Sequence, residues 1–133
     1  MTRRELREHI FKLLFFVEFH PDEEMPEQLS LYFEQLGELQ EKDQTYMQEK
    51  YEHVKEKLPE IDARLTAVAK GWRPERMGKA ELAILRLAVY EMKYDEDIPT
   101  GVAINEAVEL GKTFGGDDSS AFINGILAKL VED

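Results

Sequence analysis

The chain has 133 residues, enough for one domain with a substantial core, and its 43% hydrophobic and 34% charged content is that of a soluble globular protein and not a disordered one. It contains no cysteine, which rules out disulfides and thiolate metal sites and suits a reducing compartment. A net charge of −11 repels nucleic acid at long range and favours a basic protein as partner, although Arg3, Arg4, Arg7 and Lys12 gather positive charge at the start of the chain.

The spacing of Leu6, Ile10, Leu13, Leu14 and Val17 predicts a first helix over residues 3 to 20, with Thr2 as its N-cap. Basic residues ahead of IFKLLFFVEF resemble a secretion signal. Lys12 and Glu18 interrupt the apolar run, however, and no small-residue cleavage site follows, which points to a folded helix of a cytoplasmic protein. Beside the core face lies a stripe of Arg4, Arg7, Phe11 and Phe15. Such a stripe can bind phosphates and stack on single-stranded bases; alternatively, the rings pack beneath a neighbouring helix while the arginines are solvated. The stripe alone leaves both readings open.

Asp22 is the expected cap of a second helix that reaches Gly37 and buries Leu29, Tyr32, Phe33 and Leu36. A third helix is predicted from about Asp43 to Leu58, with Tyr46 or Met47, then Tyr51, Val54 and Leu58 inward. Pro59 breaks it and is tolerated in the first turn of a fourth helix, which carries Ile61, Leu65, Val68 and Ala69 to about Lys70. GWRP (71–74) is read as a connection with Trp72 as a packing plug.

The stretch GKAELAILRLAVYEMKY (78–94) is apolar around nearly its whole circumference, with one polar stripe of Lys79, Arg86 and Lys93 interrupted by Glu81 and Glu91. It is too short and too charged to span a bilayer, so other helices must enclose it. A sixth helix is expected over Thr100 to Phe114. GGDDSS then interrupts the chain, and Asp117 or Asp118 caps a seventh helix with Ile123, Ile126, Leu127 and Leu130 inward. Phe122 falls off that core face, a candidate stacking ring beside a glycine-rich loop. No strand alternation or repeat is present.

Signals of catalysis are missing. His9, His20 and His53 lie on separate segments without a Glu-x-x-His pattern, and no phosphate-binding or dinucleotide loop or nucleophile elbow occurs. The expectation is a protein with no catalytic residues, no metal and no cofactor.

LRLAVYE (85–91) and IPTGVAINEAVELGKTFGGDDSSAFINGIL (98–127) closely resemble the NusB family of transcription antitermination factors. The arginine-led RRELREHIFKLLF is similar to that family's first helix, while residues 21 to 70 match only in helical pattern. The resemblance implies one all-α domain over 1–133, with seven helices in two packed subdomains, a three-helix bundle over 1–58 and a four-helix bundle over 59–133. It also implies a factor that binds boxA-type single-stranded RNA with the ribosomal protein NusE, within an RNA polymerase antitermination complex acting on ribosomal RNA operons.

Arg3, Arg4, Arg7, Phe15, Asp118 and Phe122 match the family's RNA-facing positions, and Glu81 matches a contact to a basic residue of NusE. Asn105 and Glu106 lie in the motif on the same expected partner surface. Glu5, Ser120 and Ala121 stand where basic or imidazole side chains can occur, which implies weaker RNA binding alone and more reliance on the partner. Some NusB-like proteins dimerise through the partner face, and the sequence leaves a homodimer open. Two other readings stay in view. One is the RNA-binding module of a ribosomal RNA cytosine methyltransferase, of which this chain would be a fragment. The other is a purely protein-binding acidic bundle.

Overall fold

The computed structural model describes residues 1–132 apart from Trp72, Glu75 and Arg76, so the expected role of Trp72 lies outside the described residues. Regular structure among the described residues is helical throughout. The elements are α1 (Arg3–Val17), a 3-10 turn (Asp22–Glu24), α2 (Met25–Gln35), α3 (Glu41–Glu56), α4 (Leu58–Val68), α5 (Lys79–Lys93), α6 (Thr100–Phe114) and α7 (Ser119–Val131). The chain forms two compact units, Met1–His53 and Val54–Asp133, dividing within the last turns of α3. No helix of the described residues is long and apolar enough to cross a membrane.

In the first unit, α1 opens on a reciprocal cap. The Glu5 amide donates to Thr2 Oγ1 at 3.1 Å, and the Thr2 amide donates to the Glu5 carboxylate at 2.9 Å. Two otherwise unpaired donors are thereby satisfied. The helix ends at Val17, short of the predicted residue 20, because the Glu18 and Phe19 amides bond three residues back, to Phe15 and Phe16, and tighten the last turn. Asp22 does not cap α2. It opens a 3-10 turn, no side chain caps α2, and Pro26 fills a first-turn position that lacks an amide partner in any case. Gly37, with φ of 74°, supplies the left-handed residue that stops the helix.

Leu6, Ile10, Leu13, Leu14, Met25, Leu29, Phe33, Met47 and Tyr51 form the apolar interior of this unit. Of the two residues left open on α3, Met47 is fully buried and Tyr46 is 39% exposed. Tyr32 and Leu36 are only partly covered. Tyr32 stands edge-on to His9 and Phe16 of α1, and its hydroxyl lies 2.6 Å from His9 Nδ1. Burial lowers the His9 pKa, which favours the neutral ring, whose Nδ1 can then accept a hydrogen bond from the Tyr32 hydroxyl.

In the second unit, α5 is enclosed as its pattern requires. Leu82 to Leu85 and Leu87 to Tyr90 are all buried, and α5 packs against α4, α6 and α7. Ile61, Leu65, Ala103, Ala107, Ile123 and Leu127 fill the space around it. Within the polar stripe of α5, Lys79 is exposed, but Arg86 has a partner. Arg86 donates from Nε and Nη2 to both oxygens of Asp62 on α4, at 3.0 and 2.8 Å, a forked pair that fixes the two helices together. Glu91 is 1% exposed and has its own interactions within the chain. Gly111 lets α6 and α7 cross closely, since a Cβ there would lie 2.9 Å from Ile123 Cδ1 and 3.3 Å from Ser120 Cα.

Candidate nucleic-acid interface

The first group of expected RNA-facing residues lies on α1. Arg3 and Arg4 are exposed in its first turn. Positive charge there opposes the helix dipole. Arg7 differs in burial: it is 7% exposed, whereas Arg3 and Arg4 lie open to solvent.

The rings of the stripe divide in the same way. Phe11 is buried, Phe15 is partly covered, and Phe19, which lay outside the predicted stripe, is 54% exposed. Their centroids are 6.3 Å apart between Phe11 and Phe15 and 5.0 Å apart between Phe15 and Phe19, so the three rings form a ladder running from interior to solvent. The four-residue spacing that links Phe11 to Phe15 extends to Phe19, and that spacing is the signal by which it could have been found.

The second group lies on the α6–α7 loop. Asp118 holds the N-cap position of α7, but its side chain makes no capping hydrogen bond, which corrects the expectation that it caps the helix. Its backbone is already helical, with φ of −98° and ψ of 0°, whereas a capping side chain needs an extended backbone to reach the amides ahead of it. Ser119 ties the loop instead. Its Oγ accepts from the Gly116 amide at 2.8 Å and donates to Glu81 Oε2 at 2.8 Å. Asp118 is exposed and Phe122 half-buried one turn on, so carboxylate and ring sit at i and i+4 on one side of α7.

The expected partner residues are also in the second unit. Glu81 is half-buried and directed in part toward Ser119; Asn105 is exposed and Glu106 half-buried on α6. The structure thus brings Glu81 to the start of α7, where Asp118 and Phe122 lie, through a serine not singled out from the sequence. The described residues contain no group of three or more His, Cys, Asp or Glu able to hold a metal ion.

A model of the NusB family matches residues 4–132. The chain belongs to the NusB family. Among its relatives, the transcription antitermination protein NusB of Lachnoclostridium phytofermentans is 48% identical over 132 residues, covering 99% of this chain and 100% of that protein. The protein of the same name from Agathobacter rectalis is 49% identical over 131 residues, covering 98% and 100%. Among solved structures, T. maritima NusB superposes with a TM-score of 0.87 at 31% identity, covering all of this chain and 92% of that one. A crystal structure of the antitermination factors NusB and NusE in complex with dsRNA shares the fold, with a TM-score of 0.79 at 22% identity over 98% of this chain and 96% of that one. Two residues of the NusB-like LRLAVYE segment have internal tasks here: Arg86 grips Asp62, and Glu91 is buried.

Proposed function

We propose that this NusB-family chain is a transcription antitermination factor of the cytoplasm. It binds boxA-type RNA together with the ribosomal protein NusE and promotes processive transcription of ribosomal RNA operons. It acts as a regulatory adaptor and not as a catalyst. The observation that carries this reading is its full-length kinship with proteins named for transcription antitermination. The side chains supply a physical division of labour. Exposed Arg3 and Arg4 pair with phosphates, Phe122 stacks on a base, and Asp118, released from capping, accepts from a base amino group. A net charge of −11 suits a basic ribosomal protein, which Glu81, Asn105 and Glu106 would meet.

The test is a titration of labelled boxA-type RNA, with and without cognate NusE, at two salt concentrations. Tight, partner-enhanced, salt-sensitive binding that a scrambled RNA lacks supports the adaptor. Joint Arg3→Ala and Arg4→Ala replacement should flatten the salt slope by about 0.7 for each phosphate left without its arginine. Phe122→Ala should weaken binding by about 1–3 kcal/mol with little change in salt slope. NusE binding without RNA binding would leave a protein-interaction module, and wild-type affinity in Phe122→Ala would refute the stacking role.

A further inference from the structure

Three glycines surround one hydrogen bond in the second unit. A Cβ at Gly78 would lie 2.8 Å from Glu81 Oε1, one at Gly115 would collide with Ser119 Cβ and Oγ, and one at Gly111 would meet Ser120 and Ile123. Bare backbone at these positions lets the start of α5, the end of α6 and the start of α7 close around the Ser119 hydroxyl. Ser119 is buried, so water is a poor substitute for either of its partners, the Gly116 amide and Glu81 Oε2. Ser119 itself is too enclosed to be a principal RNA contact. It lies between Asp118 and Phe122 in the chain and fixes the turn from which both project.

We infer that Glu81 is a two-sided positioning residue: Oε2 anchors the RNA-facing loop through Ser119, while Oε1 takes a cationic side chain of the basic protein partner, so that partner and RNA binding are coupled through one carboxylate. This inference rests on the adaptor reading above. Among the described residues Oε1 has no hydrogen-bond partner, and Glu81 is half-buried. A glutamate side chain loses rotamer freedom when held in one conformation. A cation on Oε1 restrains the same torsions that the Ser119 anchor requires, so the ordering cost is met once for both ligands. Coupling of this kind is reciprocal: RNA on the loop must raise partner affinity by the factor by which partner raises RNA affinity.

The experiment measures RNA affinity with and without saturating cognate NusE, and NusE affinity alone, for the full chain and for Ser119→Ala, Ser119→Thr and Glu81→Gln. Amide exchange at Gly116 and along α5 is followed in parallel. Ser119→Ala should keep NusE affinity but lose about five-fold or more of the partner enhancement of RNA binding. Gly116 exchange should accelerate in that variant while α5 stays protected. Ser119→Thr, which keeps the hydroxyl, should restore the enhancement. Glu81→Gln, which can still accept from Ser119, should weaken NusE binding. If alanine unfolds the domain, Ser119→Cys provides a weaker donor of similar size and should show the same loss. Full partner enhancement in a folded Ser119→Ala or Ser119→Cys protein with a freely exchanging Gly116 amide overturns the coupling. Absence of RNA binding by the wild-type pair overturns the adaptor reading and the coupling with it.

Discussion

α1 and α5 are each 15 residues long, yet they use their polar side chains in opposite ways. α5 is enclosed, and three of its polar groups are turned to internal tasks: Arg86 grips Asp62, Glu81 holds Ser119, and Glu91 is buried. α1 buries one face, is started by a local capping box, and leaves Arg3 and Arg4 toward solvent, with Phe19 exposed in the turn that follows. Under the proposed function, the difference would separate two kinds of recognition. An enclosed helix positions atoms through its neighbours, which would suit the aim of Asp118 and Phe122. An amphipathic helix presents charge on long side chains, which would suit salt-dependent phosphate binding and asks little of its surroundings.

The sharpest way to break the comparison is to create a cavity. Leu85→Ala on α5 should cost about 2–5 kcal/mol in urea unfolding. Phe19→Ala in the exposed turn after α1 should stay within about 0.5 kcal/mol of wild type. Equal losses would mean that α5 is not the organising element. Gly111→Ala comes next. Its Cβ must displace Ile123 and meets the Ser120 backbone, so overpacking should cost about 1–3 kcal/mol, read as a lower thermal midpoint together with weaker RNA binding. A neutral result would show that α6 and α7 can part without loss.

Thr2→Ala removes the cap of α1 and should cost about 1 kcal/mol in the same assay. Because Arg3 and Arg4 remain, its effect on RNA affinity should be smaller than that of replacing the arginines themselves. The smallest effect is a pH dependence. Burial, with help from Lys12, holds the His9 pKa below its ordinary 6.5. The stability tied to the neutral ring is therefore present above 6.5 and is lost as pH falls toward the lowered value. Thermal midpoints recorded from about pH 7 down to about pH 5 should fall more steeply for wild type than for His9→Gln. Parallel curves would remove His9 from the account.

Most of the architecture was legible along the chain. Apolar periodicity set the bounds of α6 at Thr100 and Phe114 and required that α5 be enclosed. The Thr2 cap could be read from a hydroxyl beside a helical run, and the stop at Gly37 from a glycine at its end. Errors gathered where two local conformations compete closely. The last turn of α1 tightens, and Asp22 enters a 3-10 turn instead of capping α2, because a shift of one hydrogen bond separates the alternatives. The site was only partly legible. Arg3, Arg4, Asp118 and Phe122 lie at least partly open to solvent, whereas Arg7 is buried and Ser119 carries no local sign that it is a tie.

The sequence by itself therefore determined the all-helical class, the enclosed helix, the first cap and the family, because each depends on residues within a few turns or on an ordered motif. Only the tertiary structure decided that Arg86 is paired with Asp62, 24 positions away, and that Ser119 meets Glu81 across 38. The physical reason is that a helical repeat specifies the face from which a side chain leaves its helix. What that side chain meets depends on helices brought alongside from distant parts of the chain.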